Sequence, residues 1–231
     1  MKYKEKYSIG HLFCDRYGYL TMRHLAALMF DVSFEQASFV EKDIDMDRYR
    51  WIAYSWEIDI KGHAKLDDEI EITTIPTHMN KFYAYRDFIV EKNGEILVVA
   101  KAVFLLMDIE RLRPVKILDD LVKAYGREEE VFSSKDVKLE KDLDPIGEIY
   151  IRKADIDTNF HVNNAVYFDY INELSDIFAK DIAYIKLVYR NEIRNKESVR
   201  ALGEKSGDEF SFALEDNSSK IYAYGKIRLD V

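Results

Sequence analysis

Cysteine is almost missing from this sequence: Cys14 is the single one among 231 residues, so no intramolecular disulfide can form. The five histidines, His11, His24, His63, His78 and His161, make neither HxH nor HExxH. A structural zinc site draws on several Cys or His ligands at short spacings, so no protein-held metal is expected, and no other cofactor is called for. Proline is confined to Pro76, Pro114 and Pro145, which excludes a long proline-rich linker. No window approaches the ~20 apolar residues of a membrane span. The opening MKYKEKYSIGHLF also lacks the apolar run of a signal peptide. The expectation is a soluble, cytoplasmic protein. An excess of basic residues is missing too: a net charge of -9 argues against a general nucleic-acid binder, which must neutralise phosphates. A local basic patch stays compatible with it.

What is present is apolar and aromatic. Apolar residues make up 48% of the chain, with 16 Tyr and 13 Phe, enough for the core of one large domain or of two units of ~100 residues. Residues 6–13 read as a short strand. From Thr21 to about Glu41, Met22, Leu25, Ala26, Met29 and Val32 fall on one helical face. Phe30 and Phe34 add a second apolar line, so this helix is expected to be buried on much of its circumference. Period-two patterning then begins, with strands expected over 51–61, 67–76, 81–92 and 95–108. The last two flank Asn93-Gly94, a two-residue hairpin signal because both turn positions need positive φ. The run ILVVAKAVFLLM reads as a central strand.

Residues 109–147 are charged and irregular, with a short helix expected near 118–125. The pattern then restarts: a strand over 148–154, a helix from Asn164 to about Lys180, and strands near 184–193, 197–204, 208–215 and 219–230. The halves can be superposed as sequences. Asp15-Arg-Tyr-Gly-Tyr-Leu-Thr21 precedes the first helix and Asp157-Thr-Asn-Phe-His-Val-Asn163 the second. Each unit is then a long helix cradled by an antiparallel sheet. Joining two such sheets edge to edge would cover edges that either alone exposes.

The densest polar cluster is Asp155-Ile-Asp157-Thr-Asn159-Phe-His161-Val-Asn163-Asn164, just ahead of the second helix. Asp and Asn are favoured there as caps for free backbone N–H groups, which accounts for Asn163 or Asn164. It does not account for a His bracketed by Asp and Asn. A helix start offers N–H donors to a developing oxyanion, and His161 could move protons near neutral pH. Asn159 could position a carbonyl or a water, and Asp157 could hold either partner. A base to activate water is absent from the loop itself.

The string DIDTNFHVNNAVYFDYINE resembles the acyl-ACP thioesterase signature, a D-x-N-x-H-V-N-N core ahead of a helix. The segment from WEIDIKGH through DEIEI, YRDF, the NGE turn and MDIERLRPV is similar to that family's N-terminal half, in the same order, and the resemblance runs from about residue 5 to 225. It implies an α+β double hotdog that hydrolyses fatty acyl-ACP. Residues 1–127 would form an N-terminal hotdog that binds the acyl chain, 128–147 a connector, and 148–231 the catalytic hotdog. The family's catalytic Asp, Asn and His fall on Asp157, Asn159 and His161. Its catalytic Glu, in a Y-R-x-E strand, falls on Glu192. Many plant members carry a Cys directly after that Glu, whereas this chain has Ile193. Attack by water activated at Glu192, or at Glu192 with His161, is therefore expected in place of a covalent Cys.

In the first half Tyr17 and Tyr19 occupy the places of Asn159 and His161, and His63 stands near the register of Glu192, so the constellation is lost there. Lys186, Arg190, Arg194, Lys196 and Arg200 crowd around Glu192. They read either as a solvated strand face or, for Arg190 and Arg194, as contacts to the phosphopantetheine phosphate or an acidic carrier. The expected partner is acyl carrier protein bearing a fatty acyl phosphopantetheine. No nucleic acid is expected, and a homodimer fits the habit of hotdog proteins to pair. An acyl-CoA thioesterase and a non-catalytic acyl-binding hotdog protein are the alternatives.

Overall fold

The computed structural model describes residues 1–134, 143–175 and 177–230. Its first half runs β1 (Tyr3–Ser8), α1 (Met22–Val40), β2 (Tyr49–Ile60), β3 (Glu69–Asn80), β4 (Tyr83–Lys92) and β5 (Glu95–Asp108). A two-residue β6 (Arg113–Pro114) and α2 (Asp119–Tyr125) follow. The second half runs β7 (Asp144–Tyr150), α3 (Val166–Ser175), β8 (Ile182–Tyr189), β9 (Ser198–Ser206), β10 (Glu209–Glu215) and β11 (Ile221–Leu229). Residues 135–142 of the expected connector lie outside the described residues, as does Asp176 within the expected second helix.

The strands form one sheet in the order β1-β3-β4-β5-β2-β8-β11-β10-β9-β7, with β6 on β5. The two halves meet where β2 pairs antiparallel with β8, from Ser55 opposite Val188 to Asp59 opposite Tyr184. Two sheet edges that would otherwise expose unpaired backbone thereby satisfy each other. This is the double hotdog architecture, an α+β fold. The Asn93-Gly94 hairpin forms as the sequence implies, with φ of 52° and 82°.

The predicted face of α1 is the buried one: Met22, Leu25, Ala26, Met29 and Val32 are all enclosed. Phe30 packs edge-on against Trp56 and Phe104, with ring centroids 5.1 and 6.2 Å away. Phe34 does not follow: it is 55% exposed, stacked on Phe30. One turn further along, α1 has run past the aromatic cluster, so the expected second apolar line is covered at a single position. The apolar run in β5 is central, between β4 and β2. Its inner residues face α1, and Val99 on the other side meets Phe132 and Tyr184.

Other boundaries shift for local reasons. The first strand lies at Tyr3–Ser8 rather than 6–13, and residues 11–13 form a 3-10 turn. The strand expected over 148–154 forms at 144–150, because Lys153–Asp155 coil into a second 3-10 turn. α3 stops at Ser175 instead of reaching Lys180. Beyond it the Asp181 carboxylate accepts the Phe178 N–H at 3.1 Å, opening a 3-10 turn over Ala179–Asp181 that feeds β8. α1 and α3 lie against each other, tied by Arg23 and Asp169 at 2.7 Å. No helix among the described residues is long and apolar enough to cross a membrane.

Candidate active site

The loop before α3 is anchored from below. Asp155 is buried, with Arg152 Nη2 2.9 Å away and the Tyr170 hydroxyl donating to it at 2.8 Å. Burial pushes this carboxyl up, but the hydrogen bonds from Arg152 and Tyr170 outweigh that and hold it below its ordinary value. Burial, and next the same contact, drives the Tyr170 hydroxyl far upward. A charged strut thus joins the start of the loop to α3.

The chain then turns tightly. Asp157 N–H donates to the His161 carbonyl at 2.9 Å, and Phe160 N–H to the Asp157 carbonyl at 3.0 Å. Asp157 Oδ1 accepts the Asn159 N–H at 2.8 Å, while Oδ2 lies 3.5 Å from Asn159 Nδ2 and 3.6 Å from His161 Nδ1. His161 Nδ1 also sits 3.0 Å from the Val162 carbonyl. A carbonyl only accepts, so that hydrogen bond requires the proton on Nδ1 and leaves Nε2 with its lone pair in the neutral ring.

Nε2 lies 4.0 Å from Glu192 Oε1. Glu192 is not in a strand, contrary to the sequence reading. Arg190 N–H and Asn191 N–H both donate to the Tyr222 carbonyl, at 2.8 and 3.2 Å, so the β8–β11 ladder stalls after Tyr189. Asn191 Nδ2 then reaches the Ile221 carbonyl at 2.6 Å, and the chain leaves the sheet. Val162 N–H donates to the Ile193 carbonyl at 3.0 Å, which ties the Glu192 loop to the His161 loop. Two segments far apart in sequence present an imidazole and a carboxylate to one spot. Asp157, Asn159, His161 and Glu192 are thereby brought together.

Several neighbours shape this spot. Arg194, read above as a carrier or phosphopantetheine contact, has Nη2 3.0 Å from Glu192 Oε2 in an exposed pair, and Arg190 is exposed as well. The helix start offers fewer donors than expected: Ala165 N–H is taken by Asn163 Oδ1 at 2.9 Å and Val166 N–H by the Asn163 carbonyl at 2.9 Å. Asn163 is therefore the cap, and the Asn159 side chain stands exposed on the loop ahead of it. Tyr167 is buried below, its hydroxyl pushed up chiefly by that burial and further by Glu192 and Asp157. Asn163 was marked in the sequence by its type and its place before a helix and Arg194 by its place beside Glu192, whereas Tyr167 carried no such signal.

The first half repeats this skeleton without its chemistry. Asp15 N–H donates to the Tyr19 carbonyl, Gly18 N–H to the Asp15 carbonyl, and Leu20 N–H to the Ala64 carbonyl. Tyr17 N–H and Tyr19 N–H donate to Asp15 Oδ1. Tyr19 and His63 meet edge-on at 5.9 Å, where the second half has His161 and Glu192. Burial lowers the His63 and His24 pKa values, and His24 stays close to its N-cap Thr21, 2.8 Å from Oγ1.

The family model for the acyl-ACP thioesterase N-terminal domain matches residues 1–125, and that for the C-terminal domain matches residues 139–229. This chain belongs to the acyl-ACP thioesterase family. Family relatives include a chloroplastic acyl-[acyl-carrier-protein] hydrolase of Cuphea viscosissima, 26% identical over 185 residues, covering 71% of this chain and 45% of the relative. Another is the chloroplastic oleoyl-acyl carrier protein thioesterase of Coriandrum sativum, 26% identical over 179 residues, with 69% and 48% covered. The chain spans about half the length of these curated relatives. The solved acyl-ACP thioesterase of Bacteroides thetaiotaomicron superposes with a TM-score of 0.90 at 18% identity, covering 99% of this chain and 98% of that one. The 12:0-ACP thioesterase of Umbellularia californica gives 0.86 at 19%, with 99% and 97% covered. At such identities these two structures speak for the fold.

Cys14 lies on the first-half loop, remote in sequence from Ile193. Burial, with the Asp15, Asp67 and Asp68 carboxylates, pushes its thiol up and so disfavours the nucleophilic thiolate. Cys14→Ser is expected to keep near-normal thioester turnover. Complete inactivation by a thiol alkylator that spares the Ser variant would contradict this.

Proposed function

We propose that this protein hydrolyses fatty acyl thioesters carried on acyl carrier protein, releasing free fatty acid and the carrier thiol. The observation that carries this reading is the approach of His161 Nε2 to Glu192 Oε1 across 4.0 Å. Both atoms are acceptors when the ring is neutral and the carboxylate charged. One water donating a hydrogen bond of ~2.8 Å to each would turn its lone pairs outward, toward a carbonyl. The water oxygen attacks the thioester carbon as its proton passes to Glu192. The carbonyl electrons move onto oxygen, where the Asn159 amide is the donor at hand. Collapse of this tetrahedral species breaks the C–S bond, and the thiolate leaves with a proton relayed through His161. Asp157 positions Asn159. A covalent Cys route has no residue to use here, because position 193 is Ile.

The acyl chain belongs in the N-terminal unit. An apolar cleft beneath α1, lined by Leu25, Ile60, Val90, Leu97 and His63, has a volume of about 20 Å³, room for about one water, so an acyl chain would have to part these side chains. A second cleft, of about 40 Å³, lies between α1 and α3 near Arg23 and Asp169. Neither cleft is lined by His161 or Glu192, so the reading rests on the polar constellation and not on cavity size.

The test is thiol release from a panel of acyl-ACPs of different chain length, run beside the matching acyl-CoAs. A higher kcat/KM on the ACP series supports the reading. Faster turnover of CoA substrates would make it an acyl-CoA thioesterase, and no turnover of either would leave an acyl-binding protein. Within that panel, Arg190→Glu is expected to raise KM for acyl-ACP several-fold more than for acyl-CoA. The acidic carrier adds a surface that steers encounter over a Debye length of ~8–10 Å. Equal responses would restrict Arg190 to the shared arm, or to nothing.

A further inference from the structure

Phe160 occupies the position that Gly18 holds in the first half. It sits between Asn159 and His161 at φ 62°, in the left-handed region, and is 75% exposed. Of the seven non-glycine residues with positive φ among the described residues, it is the only aromatic one. A bulky side chain is strained there because its Cβ crowds the backbone carbonyl. The first half shows the relaxed solution: the matching turn holds Gly18 at φ 79°, with the same hydrogen bond closing it. The catalytic half thus carries backbone strain and also leaves a large apolar ring in water. Neither favours folding, and both lie one residue from His161. Strain of this kind gathers where a side chain meets a ligand.

The direction of the ring narrows the choice of ligand. An apolar acyl tail lowers its free energy by going inward, away from solvent. The arm that joins the thioester to a large carrier must leave by the solvent side. That arm is pantetheine, a chain of flat amides and methylenes suited to lying on an aromatic face. We infer that Phe160 is a substrate-contact residue, a platform for the pantetheine arm of the acyl thioester. The inference rests on the hydrolase reading above and adds to it a residue that sets affinity for the arm.

Two variants and two substrate types test it. The substrates are a long-chain acyl-CoA, which has the arm, and the S-methyl thioester of the same acid, which lacks it. Phe160→Gly is expected to raise the Tm by about 2–4 °C through release of backbone strain. It should also raise KM for acyl-CoA roughly 3- to 10-fold and leave kcat/KM on the S-methyl thioester unchanged. Phe160→Leu keeps the strained Cβ and removes the flat face, so it should raise KM for acyl-CoA without the gain in Tm. An equal loss on both substrates would overturn the platform, since Phe160 would then act at the reacting centre. Unchanged KM in both variants would overturn it as well. If the unaltered protein turned over no thioester at all, the hydrolase reading would fall and the platform with it, an outcome distinct from an active enzyme indifferent to Phe160.

Discussion

Glu192→Gln is expected to lower kcat by about 10²–10⁴-fold, the usual cost of removing a general base, with little change in KM. Glutamine keeps the size of the side chain and an amide oxygen for the Arg194 guanidinium, which now holds Glu192 Oε2 at 3.0 Å. The loop therefore keeps its shape while basicity is lost. The backbone bond from Val162 to Ile193 also survives the substitution, so His161 stays in place. His161→Ala should lose a comparable factor, and the double variant little more, because groups that act on one water are not additive. Steady-state kinetics on one acyl-ACP, with a melting curve to establish folding, check this. A folded Glu192→Gln that retains more than a tenth of the parental kcat would remove Glu192 from the role, and the base would have to be sought in Asp157 or His161.

Gly225→Ala is expected to destabilise the protein by about 3–5 kcal/mol, near the top of the range for single substitutions. Gly225 lies in β11 between Leu187 of β8 and Phe212 of β10. A Cβ there would stand 1.9 Å from the Lys186 carbonyl oxygen and 2.7 Å from the Phe212 ring. The ring can swing aside, but the carbonyl belongs to the ladder and cannot move without parting β8 from β11. β8 is also the strand that joins the two halves, and Tyr222 of β11 accepts the bonds that turn the chain toward Glu192. Damage at Gly225 should therefore reach the candidate active site. Urea unfolding followed by Trp fluorescence measures the loss, and a change below ~1 kcal/mol would contradict so close an approach of the two strands.

Much of this protein was legible because the signals are local. The α1 core face follows from side-chain spacing, which the 3.6-residue period fixes without reference to any other segment. The Asn93-Gly94 hairpin follows from a demand for positive φ that those two residue types meet. The loops at Asp15 and Asp157 match in sequence order, and in both the Asp Oδ1 accepts the N–H two residues on, from Tyr17 and from Asn159. Asp157, Asn159 and His161 were readable for the same reason: they lie within one turn of chain. Glu192 was reached only through the family resemblance, and nothing in the residues around it says that it faces His161.

What tertiary structure alone decided are the contacts between segments. Glu192 leaves the strand because two N–H groups share the Tyr222 carbonyl, and it returns toward His161 because Val162 binds Ile193. Both depend on the register of β8 against β11, set by which faces are buried across the whole sheet. Phe34 is left in solvent because the aromatic cluster beneath α1 ends one turn earlier, which only the packing of α1 on the sheet decides. Sequence by itself determined the elements, their faces and the residue types of the catalytic loop, since spacing and turn chemistry act over a few residues. It left open which distant carboxylate meets the imidazole, because that is settled by packing summed over many strands, where no single residue carries the signal.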